Sequence, residues 1–398
     1  MKILFLTISR VDDINARGIY SDLMRSFIRH GSDVYIASPT ERRFAKPTHL
    51  VEFPNCKILR IRTLNIQKTN IVEKGIGTLL LESQFDKAIR KYWGGIRFDL
   101  VLYSTPPITF NRVIERVKKR CGCKSYLLLK DIFPQNAVDL GMFSDKGLLY
   151  RFFRRKEQKL YALSDHIGCM SPANVNYVVT HNPEVAPSKV EMAPNSLELL
   201  DSVPSVDKTA VLKKYHLPLD RPIFIYGGNL GKPQGIPFLI KCLGANANRS
   251  DCHFVIIGNG TEMPKIKLWY ESVKPASVTL MERLPKEDYD RLVAACDVGL
   301  IFLDNRFTIP NYPSRLLSYL ENKMPIIAAT DVNCDMGSIA EENGYGYWCR
   351  SDSVEGFTAA VNRMLASDRM EMGEKGYGLL CANYLVQNTY NAIVKHFS

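Results

Sequence analysis

The sequence predicts an α/β protein built from two doubly wound domains. Short β-rich apolar runs alternate with helical patterns along the whole chain, a proline-bearing polar stretch divides them into two sets, and 398 residues suffice for two cores. No apolar run approaches the roughly 20 residues that span a bilayer, so no transmembrane helix is expected.

The first set has strand candidates at residues 3–8, 33–38, 58–62, 100–104, 125–129, 166–170 and 190–193. The second has them at 223–226, 253–257, 278–281, 298–302 and 325–328. These are short, mostly β-branched, aromatic or leucine-rich runs, the pattern of strands buried on both faces of a parallel sheet. Residues 196–222 are polar, carry Pro204, Pro218 and Pro222, and hold one short helical pattern at 209–215, so they read as a linker. The expected domains are 1–203 and 204–375, with a final helix at 376–398 returning to the first.

The run Ile3 to Ile8 is too short for a signal-peptide core and lacks a small-residue cleavage site, so a cytoplasmic location is expected. Ten cysteines form no Cys-x-x-Cys pair and the seven histidines no metal-ligand spacing, which argues for reduced thiols and no metal. Charge is uneven: residues 1–200 hold 31 basic and 19 acidic side chains, net +12, whereas residues 201–398 hold 21 and 22, net −1. A field of that sign attracts phosphate, nucleic acid or an anionic membrane. Residues 113–119 and 148–156 mix lysine and arginine with apolar residues at helical spacing, as in helices lying on a membrane or showing a solvated face.

Candidate chemistry clusters where strands end. Gly18 precedes a helix pattern at 19–30, at the carboxyl end of the first strand, where doubly wound sheets bind ligands. No Gly-x-Gly-x-x-Gly follows, which weakens a dehydrogenase reading. In the second domain residues 223–226 run into Gly227-Gly228-Asn229-Leu230-Gly231-Lys232-Pro233-Gln234-Gly235 and then a helix at 236–243. Strand, glycine-rich loop and helix start together make an anion site, to which Lys232 adds a point charge, and the spacing is not a Walker loop. Gly258-Asn259-Gly260 ends the next strand, and Pro313-Ser314-Arg315 opens a helix at 316–322. An arginine in a first helical turn opposes the dipole unless an anion lies nearby, which makes Arg315 a phosphate candidate. In the first domain Asp131, after the strand at 125–129, suits a general base, a hydroxyl-binding group or a helix cap, and Ser104 ends the preceding strand.

Together these stations resemble the retaining glycosyltransferases of the GT4 family, with the GT-B fold, near the branch that builds bacterial O-antigen and capsular polysaccharides. The carriers of the resemblance are Gly18, Asp131-Ile132-Phe133-Pro134 (similar to Asp-Leu-Trp-Pro), Asp165-His166-Ile167 with Ser171, Pro194-Asn195, Gly228-Asn229-Leu230-Gly231, Gly258-Asn259-Gly260, and Pro313-Ser314-Arg315 (similar to Pro-Ser-Lys). The resemblance implies two Rossmann-like domains facing a central cleft. It places a nucleotide diphosphate-sugar, most commonly UDP-linked, on Gly228, Asn229, Leu230, Gly231, Gly258, Gly260, Arg283, Pro313, Ser314, Ser318 and Glu321. Lys232 and Arg315 would stabilise the departing diphosphate, and Gly18, Ser104 and Asp131 would hold a saccharide acceptor. No cofactor or metal is implied, a polyprenyl-diphosphate-linked acceptor is, and the basic half would face the membrane.

Two departures qualify the resemblance. The family's basic phosphate-loop positions are Asn229 and Gln234 here, and its Glu-x7-Glu falls on Pro310 and Ser318, leaving Glu321 as a substitute for the ribose-binding carboxylate. The rival readings are a GT-B nucleotide-sugar 2-epimerase, a non-catalytic glycosyltransferase-like partner subunit, and nucleic-acid binding, the last without a recognition motif.

Overall fold

The computed structural model describes residues 1–66, 71–199 and 206–397, the side chains of residues 71, 72 and 74 excepted. The chain forms two compact units, Met1–Glu198 with Leu385–Ser398, and Leu199–Tyr384.

In the first unit the strands are β1 (Lys2–Leu6), β2 (Asp33–Glu41), β3 (His49–Phe53), β4 (Cys56–Thr63), β5 (Leu100–Ser104), β6 (Lys124–Leu129), β7 (His166–Cys169) and β8 (Val190–Met192). They form one sheet in the order β3-β4-β2-β1-β5-β6-β7-β8, parallel except for β3 against β4. Ile3 to Leu6 of β1 are fully buried, with Ile3 beside both Val34 and Leu100, so the central strand reads as a continuous apolar run. The core gathers Phe5, Phe27, Ile36, Leu102 and Leu128. Burying each such side chain contributes about 1.5–3 kcal/mol.

The second unit holds β9 (Ile223–Asn229), β10 (His253–Asn259), β11 (Val278–Glu282), β12 (Val298–Phe302), β13 (Ile326–Thr330) and β14 (Gly346–Arg350), all parallel, in the order β11-β10-β9-β12-β13-β14. Phe224, Ile236, Phe254, Phe302 and Phe357 fill its core. Each sheet is doubly wound, reversing its strand order between β1 and β5 and between β9 and β12, as expected of Rossmann-like domains.

The departures from expectation are local. β3 and β14 were not anticipated: β3 is a half-exposed edge strand, and β14 starts on a glycine and is only partly buried. The boundary expected near residue 203 falls outside the described residues, and the units divide after Glu198. The helix expected at 376–398 is two helices, Arg369–Asn383 and Val386–Val394. The first belongs to the second unit, where Gly373 sits so near Lys323 that an added Cβ would lie 1.9 Å from its carbonyl oxygen. Only the chain from Leu385 onward belongs to the first unit. There Leu385 bridges Leu197, Tyr390 stacks on His30 with centroids 4.1 Å apart, and Ile393 enters the core.

Candidate active site

β9 and β12 are neighbours at the strand reversal of the second unit, and doubly wound sheets open a ligand crevice at the carboxyl ends of such strands. A cavity of about 680 Å³ lies at this end of the sheet, lined by Gly228, Asn229, Gly258, Arg283, Pro313, Ser314, Arg315 and Ser318 together with Lys286 and Tyr289. Eight residues expected at a donor from the sequence alone are thus brought together by four separate chain segments.

Arg315 is the centre of the arrangement. Its guanidinium lies over the Tyr226 ring, 4.3 Å from the centroid, and the Tyr226 hydroxyl donates to the Asn229 carbonyl at 2.8 Å. An aromatic face of this kind holds a guanidinium in place without occupying its N–H donors. Arg315 Nη1 is buried and makes no hydrogen bond, and no ion pair reaches the side chain among the described residues. A buried donor without a partner costs about 1–3 kcal/mol, more for a charged group, which marks Arg315 as a candidate for an anionic ligand. Arg283 is exposed at the rim, likewise without an ion pair, and Lys286 pairs with Asp290 at 2.6 Å.

The glycines have two different reasons to be there. Gly228 adopts φ +126°, and a Cβ on it would lie 3.7 Å from the Arg315 guanidinium carbon, so its missing side chain keeps the cavity open beside the cation. Gly258 and Gly260 instead permit backbone to pass backbone: a Cβ would lie 1.9 Å from the Gly228 carbonyl oxygen in the first case and 2.2 Å from that of Leu230 in the second.

Not every expected donor residue reaches the cavity. Leu230 is fully buried in the core, and Gly231, Lys232, Gly260 and Glu321 are not among the lining residues. Lys232 is exposed on the turn Lys232–Gln234. The cations on the cavity are therefore Arg283, Lys286 and Arg315, rather than Lys232 and Arg315. Glu321 is 9% exposed on the helix Arg315–Glu321, three residues beyond Ser318, which does line the cavity. The neutral replacements at the phosphate loop have paired: Asn229 Nδ2 donates to Gln234 Oε1 at 3.0 Å, and the Gly231 N–H donates to the same oxygen at 3.3 Å. Lys286 and Tyr289 escaped the sequence reading because Lys-Glu-Asp-Tyr resembles a solvated helix start. Their three-residue spacing, which puts both on one helical face, was the available signal.

The acceptor candidates lie at the carboxyl edge of the first sheet. Asp131 follows β6, and both of its carboxylate oxygens accept from Asn136 Nδ2, at 2.8 and 2.9 Å. Its backbone is pinned by Thr105, whose hydroxyl donates to the Asp131 carbonyl at 3.0 Å and accepts from the N–H groups of Lys130 and Asp131 at 2.9 and 3.2 Å. Burial pushes the Asp131 carboxyl up to about 6, against the opposing pull of Asn136 and the Ile132 N–H. Lys130 donates to the Ala193 carbonyl at 2.9 Å, and burial brings its ammonium down to about 7. Ser104 is buried, its hydroxyl donating to Thr7 Oγ1 at 3.2 Å, so it braces the edge from within. Gly18 is exposed with an extended φ of 171°, and a Cβ there would meet only Ser21 Oγ at 4.0 Å. Backbone conformation does not call for a glycine at this position.

Among the described residues no group of three or more His, Cys, Asp or Glu side chains is placed to hold a metal ion. Among them, too, no helix is long and apolar enough to cross a membrane.

Two Rossmann-like units, one carrying a cation-lined cavity at its strand reversal, define a protein of the GT-B glycosyltransferase architecture. Residues 207–378 match the family model described as glycosyl transferases group 1. WbjE of Pseudomonas aeruginosa, described as a probable glycosyltransferase, is 23% identical over 295 residues, covering 72% of this chain and 71% of the relative. WcaI of Escherichia coli (strain K12), named as a candidate colanic acid biosynthesis glycosyl transferase, is 21% identical over 299 residues, 73% of this chain and 71% of the relative. Among solved structures, Anabaena Alr3699/HepE in complex with UDP superposes with a TM-score of 0.69 at 14% identity, over 100% of this chain and 99% of that one.

Proposed function

We propose that this glycosyltransferase moves a sugar, with retention, from a UDP-sugar to a saccharide acceptor carried on polyprenyl diphosphate, in surface polysaccharide synthesis at the cytoplasmic face of the membrane. The observation that carries the donor half is the buried, partnerless Nη1 of Arg315 beside Gly228 in the β9–β12 crevice. UDP is favoured by its presence in the solved structure above, and polysaccharide by the description of WcaI.

As the glycosidic bond breaks, charge collects on the departing diphosphate while the sugar becomes oxocarbenium-like. Arg315 and Arg283 would stabilise that charge from preset positions, which is the most effective form of transition-state stabilisation. A diphosphate oxygen would take the acceptor proton, leaving Asp131 to orient the acceptor hydroxyl. The chemistry proposed needs no metal.

A thermal-shift panel of UDP, GDP, ADP, TDP and NAD in EDTA tests the donor half. UDP at 100 times its dissociation constant should stabilise the wild type by about 2.7 kcal/mol, undiminished by EDTA, and should leave Arg315→Ala unmoved. A response to NAD alone, or to nothing, would favour the non-catalytic partner or another α/β enzyme. The pH dependence tests Asp131. With its carboxyl at about 6, kcat/KM for the acceptor should fall as pH drops from 7 to 5 and the carboxylate protonates. Asp131→Asn should be slower and flat across that range, whereas an unchanged acid limb in the variant would remove Asp131 from the acceptor site.

A further inference from the structure

Helix Leu148–Leu163 presents a side that the first unit leaves uncovered. Leu148 is 83% exposed, Leu149 50% and Phe152 40%, and Met142 in the preceding loop is 57% exposed. Single exposed leucines are ordinary, but four large apolar side chains within eleven residues are a patch. Arg151 and Arg155 are exposed beside them and make no ion pair among the described residues, whereas Arg154 pairs with Glu157 and Lys159 with Glu115, both at 2.7 Å. At 3.6 residues per turn, Leu148, Leu149, Arg151, Phe152 and Arg155 fall within an arc of about 160°, the arginines along one margin and the apolar groups along the other.

From this patch we infer a docking surface for an anionic phospholipid bilayer, with Leu148, Leu149, Phe152 and Met142 entering the acyl boundary and Arg151 and Arg155 meeting headgroup phosphates. Charge complementarity selects this occupant. A bilayer asks for an amphipathic face with cations at its margin, and the +12 charge of residues 1–200 adds a long-range attraction to it. Asp145 is the one exposed carboxylate between Met142 and Leu148.

The patch is physically continuous with the acceptor edge. Phe152 packs on Phe153 with centroids 5.2 Å apart, and Phe153 packs on Phe133 at 4.9 Å, within Asp131-Ile132-Phe133-Pro134. A bilayer seated on the helix lies one aromatic layer behind the segment that carries Asp131, where a lipid-linked sugar would be needed. That purpose rests on the proposed acceptor, but the docking itself is measured without any transfer reaction.

The test is co-sedimentation of the full chain with vesicles of phosphatidylcholine alone and of phosphatidylcholine with 25% phosphatidylglycerol. The wild type should bind the anionic vesicles at least about tenfold more tightly than the neutral ones. Leu148→Ser with Phe152→Ser, and separately Arg151→Glu with Arg155→Glu, should each weaken anionic binding about tenfold or more, with unchanged circular dichroism melting. Equal binding by wild type and both variants overturns the inference, as does absence of binding to either vesicle. A dimer in sedimentation velocity that Leu148→Ser with Phe152→Ser dissociates, without vesicle binding, would assign the patch to self-association instead. Anionic binding that survives a silent nucleotide panel would leave the docking surface standing and remove the transferase reading.

Discussion

Arg315→Ala is expected to weaken UDP binding by about 100-fold or more, close to 2.7 kcal/mol, the range for losing a buried charged donor from a phosphate site. Isothermal titration measures it directly. The side chain lines the cavity, stacks on Tyr226 and keeps a buried N–H unpaired, so the wild type already bears the cost of keeping that donor dry. Arg315→Lys should recover only part of the loss, because an ammonium keeps the charge but not the planar fork that stacks on an aromatic ring and bridges two phosphate oxygens. Lys232→Ala should change affinity little, since Lys232 is exposed and outside the cavity lining. The reverse ranking, with Lys232 dominant and Arg315 silent, would return the diphosphate to the loop before the helix Ile236–Ala245.

Gly258→Ala should cost the most stability of any single methyl group added to this site, about 3–5 kcal/mol in urea unfolding. The new Cβ would sit 1.9 Å from the Gly228 carbonyl oxygen, and the backbone there adopts φ +156°, which L side chains rarely enter. Relief requires β9 and β10 to part where both border the cavity, so UDP affinity should fall with stability. Gly18→Ala is the control. Its φ is extended and the added methyl would meet only Ser21 Oγ at 4.0 Å, so the melting transition should stay within about 0.5 kcal/mol of wild type. A Gly258→Ala protein as stable as wild type would show that the two strand ends are not packed as described.

Much of this architecture was legible because both parallel sheets are built from strands buried on two faces, whose apolar runs are hard to mistake. Residues 100–104 and 298–302 were placed as β5 and β12 stand, and the Gly258 and Arg315 segments converge on one cavity as their positions after strands required. What escaped was decided by tertiary partners. β3 is half exposed and pairs antiparallel at an edge, so its pattern is weak without β4 beside it. The split of the final helix at Tyr384 depends on Gly373 meeting Lys323 and on Leu385 bridging Leu197, neither of which leaves a mark in local periodicity. Lys232 looked like a phosphate ligand from spacing alone, but it is exposed and absent from the cavity lining, and the Asn229–Gln234 bond closes the loop with a neutral pair.

The return of residues 385–398 to the first unit separates the order of synthesis from the order of completion. The second unit, Leu199–Tyr384, is a continuous stretch and has all its parts once Tyr384 has left the ribosome. The first unit, although translated first, lacks Ile393 from its core, Tyr390 against Phe27 and His30, and the partners of Glu191, Lys395 and His396, until residues 385–397 emerge. Domains usually fold in the order in which they are made. Here the later-made unit can finish while the earlier one still waits for the helix Val386–Val394, and a chain lacking residues 385–398 would carry a finished second unit and an unfinished first one.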